Sequence, residues 1–241
     1  MKGDPHALTE VVSGPLLGPR RPTYVSWQTG AMRKGRDYEG YAAKMRKHAL
    51  AGTDMEVDVR FVDMMSKRSS RVLDIGCGVG NAVNGLRSRG HTAYGIDPTP
   101  EVLEVARDLY DSSWFRQMAA IDIAAETLLF NGLPQTYDVV VMSGNVPSFL
   151  SATELRKTFA RVAGLLEPAG ILVIGTTTAI QGGPADQDEA AAESGLTLTH
   201  RFSDWHLKPF HAESPWSVSV FALTESRECT DSPDGMFVLR G

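Results

Sequence analysis

From Arg71 onward, short apolar runs alternate with stretches of helical period, and this alternation predicts βαβ units around a parallel sheet. Strands are expected at 72–75, 92–96, 114–117, 138–142, 171–175, 196–200 and 217–223, the last two as a hairpin-like pair. Between them, Thr99 followed by Pro100 predicts a helix start, with Val102, Leu103, Ala106 and Leu109 turned to the sheet. Ser151 and Glu154 have the spacing of a capping box, and Leu155, Phe159, Val162 and Leu166 recur on one face up to Pro168. Residues 182–192 read as a polar, acidic loop running toward a short helix.

Ahead of the sheet, Tyr38, Tyr41, Ala42 and Met45 recur at helical spacing. Thr53 and Glu56 again have capping-box spacing, and Val57, Phe61, Val62 and Met65 stripe the helix expected there. These patterns divide the chain into an extended arm at 1–37, a domain at 38–223 and a polar tail at 224–241. No internal repeat is visible.

Composition narrows the function. The 241 residues are 42% hydrophobic and 22% charged, an ordinary globular balance, and no apolar run approaches the ~20 residues that span a bilayer. The first residues lack the apolar core of a signal peptide, so a cytoplasmic protein without a membrane partner is expected. Cys77 and Cys229 stand far apart without metal-ligand neighbours, which predicts neither a disulfide nor a metal site. The formal net charge of -5 opposes nucleic acid as a partner and favours a small-molecule substrate. A basic run, Arg33, Lys34, Arg36, Lys44, Arg46 and Lys47, is either a solvated helix face or a lid for an anionic substrate.

The stretch Asp74-Ile75-Gly76-Cys77-Gly78-Val79-Gly80-Asn81 carries the clearest chemistry. A strand runs into alternating glycines and then into a helix, where backbone can approach a ligand and helix N–H groups face it. Asp97 ends the next strand, where a carboxylate can accept from both hydroxyls of a ribose. The dinucleotide pattern G-x-G-x-x-G fails in both registers, because its third glycine falls on Asn81 or on Val83.

What stands there instead resembles motif I of the class I S-adenosylmethionine-dependent methyltransferases. The resemblance continues through Tyr94-Gly95-Ile96-Asp97, Ile121-Asp122-Ile123, Tyr137 to Asn145 and Leu165 to Gly170, although no glycine precedes Asp122. It is closest to small bacterial members of unassigned substrate, with Gly195 to Phe202 leading into Trp205. It implies an α/β fold with a seven-stranded, mostly parallel sheet, helices on both faces, an antiparallel last strand and an N-terminal helical lid. It implies S-adenosylmethionine as cofactor, yielding S-adenosylhomocysteine. The implied cofactor residues are Asp74, Gly76, Cys77, Gly78, Gly80, Asn81, Asp97, Pro98, Asp122, Ile123, Ser143, Gly144 and Tyr41.

Methyl transfer from a sulfonium is an in-line displacement that positioning and water exclusion can carry, with a base needed only for a protonated nucleophile. No catalytic residue is therefore demanded. His206 and His211 are candidate bases on a loop, set against histidines that only bond backbone. Asn145 orients a ligand or forms a turn; the Asn-Pro-Pro-aromatic motif of nucleic-acid amino methyltransferases is not matched by Asn145-Val146-Pro147-Ser148. Tyr38 and Tyr41 either line a lid or pack a helix, and Cys77 reads as packing. The expected reaction is methyl transfer to an O or N nucleophile of a small molecule. The rivals are an NAD(P)-dependent oxidoreductase and a non-catalytic S-adenosylmethionine-binding module. Monomer and homodimer are both compatible with the sequence.

Overall fold

The computed structural model describes residues 37–224. Arg33, Lys34 and Arg36, the arm before Asp37 and the tail beyond Thr224 lie outside them. Seven strands form one sheet: β1 (Arg71–Ile75), β2 (Thr92–Asp97), β3 (Phe115–Gln117), β4 (Tyr137–Met142), β5 (Leu166–Thr177), β6 (Leu196–Phe202) and β7 (Trp216–Leu223). Their order is β3-β2-β1-β4-β5-β7-β6. The first five run parallel, and β7 lies antiparallel between β5 and β6. The expected strands, their mostly parallel arrangement and the pairing of the last two are all present.

Period-two alternation sends consecutive strand residues to opposite faces. Leu73, Ile75, Val140, Met142, Leu172 and Ile174 pack on one side, against Leu155, Phe159 and Val162 of α6 (Ala152–Leu165) and Ala190 and Ala191 of α7 (Pro184–Glu193). Val72, Val139, Val141 and Val173 pack on the other. That face is covered by α2 (Val57–Met65), α3 (Asn81–Ser88) and α4 (Pro100–Leu109) through Val59, Phe61, Val83, Leu86 and Leu103. Asp74 lies two residues after Val72, which turns its carboxyl toward this same second face. A shorter helix, α5 (Ala125–Phe130), follows β3 and was not expected from the pattern.

The two expected capping boxes fare differently. At Ser151 both reciprocal bonds form: its hydroxyl accepts the Glu154 N–H at 3.3 Å, and its own N–H donates to Glu154 at 2.8 Å. Thr53 is not a cap. It closes the preceding helix, α1 (Tyr38–Leu50), by donating its N–H to the His48 carbonyl at 3.0 Å while Gly52 donates to Ala49 at 3.1 Å. This is the paired closure of a Schellman end, so Thr53 belongs to the end of one helix and cannot begin the next. Glu56 is the N-cap of α2, and its N–H donates to Asp54. At α4 the N-cap is Thr99 with Pro100 as the first helical residue, as expected, but the Thr99 side chain bonds no helix N–H.

α1 lies along α4. Ala42, Val79, Val102 and Val105 form a small cluster joined by Met45 and Leu109, and Arg46 pairs with Asp108 at 2.9 Å. One cation of the basic run thus serves helix packing. Among the described residues, no helix is long and apolar enough to cross a membrane.

Candidate functional site

The sheet order reverses between β1 and β4, and in open α/β sheets the ligand crevice lies outside the carboxyl ends at such a reversal. The glycine loop opens there. Gly76 and Cys77 donate N–H bonds to the Ile96 carbonyl at 2.8 and 3.1 Å, which ties the loop to the end of β2. Gly80 has φ +81°, and a Cβ on it would sit 2.6 Å from the Phe115 ring, so packing demands glycine there. Gly78 has φ +53° and open space where a Cβ would go. Gly80 thus builds the turn, and Gly78 leaves room beside it.

Asp97 is buried, and its two oxygens accept from Gly78 N–H at 3.1 Å and Thr99 N–H at 2.9 Å. Burial pushes its carboxyl above the ordinary value, and the bonds from Thr99 and Gly78 pull it back in part. The Thr99 hydroxyl bonds it as well, and because a carboxylate offers about four lone-pair sites, acceptor capacity remains for a ligand hydroxyl. Asp74 is 1% exposed, and its Oδ1 has no hydrogen-bond partner among the described residues. Burial raises its carboxyl well above the ordinary range, followed by repulsion from Asp58 and then Asp97.

Asp58 was not singled out by any motif. It lies in the first turn of α2 and accepts from the Val59 N–H at 2.9 Å and from the Ser143 hydroxyl, while burial raises its carboxyl. The signal was present: Asp58 stands three, four and seven residues before Phe61, Val62 and Met65, placing a carboxylate on the apolar stripe of its helix. Three carboxylates thus converge on one crevice, a setting matched to a cationic ligand.

The remaining expected residues spread around it. Cys77 packs against Gly95, and its thiol is raised well above its usual value, first by burial and then by Asp74 and Asp97; it is no nucleophile. Asn81 opens α3, with its amide bonded to Tyr110 and Met55. Ser143 and Gly144 follow β4 at the mouth, and Pro98 and Asp122 are exposed beyond β2 and β3. The Ile123 side chain is in the core, and its carbonyl accepts from Arg161 at 2.6 Å, which leaves its backbone N–H to meet a ligand. Tyr41 is half-exposed on α1.

Asn145 has φ +63° and is buried; its Oδ1 accepts from Thr176 at 3.0 Å and from the Thr177 N–H at 2.7 Å. These bonds fasten the end of β4 to β5. His206 and His211 are exposed on the loop between β6 and β7. That loop borders a cavity of about 500 Å³ whose walls include Trp205, Trp216 and Pro215, with Asp204 and Lys208 paired at 3.1 Å. The Trp205 ring lies against Gly175 of β5 beside the Ser143 carbonyl, and meets Phe61 of α2 edge-on at 5.5 Å. Among the described residues no cluster of side chains could hold a metal.

A family model described as a methyltransferase domain matches residues 72–170. The chain is 30% identical over 146 residues to malonyl-[acyl-carrier protein] O-methyltransferase of Acetivibrio thermocellus, a match covering 60% of this chain and 46% of that one. It therefore spans about half the length of that relative. It is 26% identical over 160 residues to an uncharacterised methyltransferase of Bacillus cytotoxicus, covering 66% and 70%. A solved TehB-like S-adenosylmethionine-dependent methyltransferase from Corynebacterium glutamicum superposes with a TM-score of 0.68 at 29% identity, covering 77% of this chain and 97% of that one. Another from Clostridium acetobutylicum shares the fold alone, with a TM-score of 0.63 at 11% identity. Sheet order, glycine loop and relatives define one class of protein. The family match over residues 72–170, the relatives and the sheet order support a class I S-adenosylmethionine-dependent methyltransferase over the nicotinamide oxidoreductase that the glycine spacing opposed.

Proposed function

We propose that this domain, residues 38–223, binds S-adenosylmethionine in the β1/β4 crevice and methylates an O or N nucleophile of a small-molecule acceptor in the cytoplasm. The observation that carries the reading is the unpartnered Oδ1 of buried Asp74 within a ring of carboxylates. A buried acceptor left unpaired costs about 1–3 kcal/mol, and an ammonium group supplies both the missing donor and the opposite charge. The other residues fit the rest of the cofactor. Asp97 accepts from the ribose hydroxyls, Gly78 leaves room at the loop, and Asp122 and the Ile123 N–H border the adenine.

When bound, S-adenosylmethionine supplies an activated methyl group. The chain's own work is to orient and to exclude water. Ser143 and Gly144 shape the mouth, Tyr41 with α1 and α2 covers it, and Trp205 separates it from the 500 Å³ cavity that receives the acceptor. His206 and His211 stand on the loop that borders that cavity and are the candidate bases, whereas Asn145 holds the turn. The Acetivibrio relative is an O-methyltransferase by name, which supports oxygen as the acceptor atom.

Thermal melts with S-adenosylmethionine, S-adenosylhomocysteine and NAD test the reading. A ligand at ~100 times its Kd stabilises by about 2.7 kcal/mol. The first two are expected to shift the melt and Asp97→Ala to abolish the shift; a shift with NAD alone overturns the proposal. A methyl-transfer screen across metabolite pools then separates an active enzyme from a cofactor-binding module.

A further inference from the structure

Asp58 is held at the mouth by the first residue after β4, Ser143, while Asp74 stands near the end of the neighbouring strand β1. It therefore overhangs the reversal point from the lid side. Its charge acts on Asp74 more strongly than that of Asp97 does.

The two carboxylates differ in what they lack. Asp74 Oδ1 has no donor among the described residues. Asp58 already accepts from the Val59 N–H and the Ser143 hydroxyl. With donors already on it, Asp58 does not need a donor from a ligand as Asp74 does, and what it chiefly offers is charge. An ammonium brings charge together with N–H donors, whereas a sulfonium brings charge and no donor. We propose that Asp74 faces the cofactor's ammonium and Asp58 its sulfonium, so that helix α2 distinguishes the charged methyl donor from its neutral product. The proposal rests on the reading of the crevice given above.

Other charged groups nearby leave this role to Asp58. Glu56, at the start of α2, is paired with Arg89 at 2.9 Å, and Arg60 with Asp54 at 3.0 Å. Asp97 is bonded to the loop and to Thr99. During transfer the methyl–sulfur bond breaks as the bond to the nucleophile forms, and sulfur keeps the electron pair and loses its positive charge. Asp58 then faces Asp74 and Asp97 with one cation fewer between them, which loosens α2 over the product.

Calorimetric titration of S-adenosylmethionine, S-adenosylhomocysteine and sinefungin, in which an amine-bearing carbon replaces the sulfonium, tests the assignment. Asp58→Asn is expected to weaken S-adenosylmethionine and sinefungin about tenfold, and S-adenosylhomocysteine by less than about twofold. Asp58→Glu, which keeps the charge, is expected to retain the wild-type preference. The ratio of two affinities measured on one variant is insensitive to its folded fraction, so an effect on folding alone does not move it. Equal weakening of donor and product would put Asp58 at the ammonium and overturn the assignment, as would unchanged affinity for the donor. A wild-type protein that binds none of the three overturns the crevice reading instead, so the two failures are distinct.

Discussion

On the cofactor wall of the crevice, from Asp74 to Asp97, the geometry is made by backbone: loop N–H groups bonded to Ile96, and glycines at positive φ. On the lid wall it is made by side chains from distant parts of the chain. Phe61 of α2 meets Trp205 edge-on at 5.5 Å and Phe202 at 6.0 Å, and Asp58 reaches Ser143. The first construction tolerates few residue types at each position, so it leaves a motif. The second needs only complementary shapes that folding brings together, so it leaves almost none. The walls should therefore fail differently when altered.

The largest effect is expected on the cofactor wall. Gly80→Val forces a β-branched residue into φ +81° and drives it into the Phe115 ring and Ala106. Left-handed strain and the clash together should cost at least about 3 kcal/mol, or roughly 6–12 °C in Tm. Gly78→Ala meets no atom within 4 Å and should cost only about 1 kcal/mol of stability. Its methyl group enters the space assigned to the cofactor, so S-adenosylmethionine binding should weaken by at least about tenfold. Equal melting temperatures for the two variants would break the distinction between a glycine that packs and a glycine that makes room.

Phe61→Leu probes the lid wall. It removes two edge-on ring contacts while staying apolar, a loss of about 1–2 kcal/mol by denaturant titration. Because the loop and Asp97 are untouched, the stabilisation by S-adenosylmethionine should persist. Its disappearance would show that the walls act as one unit.

This contrast also explains what was legible in the sequence. All seven strands were visible because each is a short apolar run between turn residues, and the glycine loop and Asp97 were visible because ligand-facing backbone restricts residue choice. α5 was missed because its six residues are shorter than two helical turns and carry one fully buried side chain, Leu128. Asp58 leaves no local signature because its role depends on Ser143, 85 positions away. Trp205 was noticed, but nothing local tied it to Phe61.

A third variant separates function from stability on the cofactor wall. In the ligand-free protein, burial holds the Asp74 carboxyl above its ordinary value of 3.8. The folded state thus keeps this proton to higher pH than the unfolded chain, and stability falls as pH rises above that value. Asp74→Asn should remove that component of the slope and raise the neutral-pH Tm by about 2–4 °C, the equivalent of about 1 kcal/mol. It should also weaken S-adenosylmethionine. A variant less stable than wild type at neutral pH would sink the view that the carboxylate is kept for a ligand.

The smallest effect compares two segments with the same local pattern and different surroundings. Ser151 and Glu154 form both bonds of a capping box, so Ser151→Ala should cost about 1 kcal/mol. Thr53 and Glu56 have the same spacing, but the Thr53 N–H ends α1, and its hydroxyl only meets the partly buried His48 at 3.3 Å. Thr53→Ala should therefore cost less than about 0.5 kcal/mol, since surface changes away from a cap stay within that range. Paired urea titrations with matching slopes would resolve the difference at the unfolding midpoint. Equal losses would mean that the spacing, not the Schellman closure upstream of it, decides how α2 begins, and the lid wall would then be as local in origin as the glycine loop.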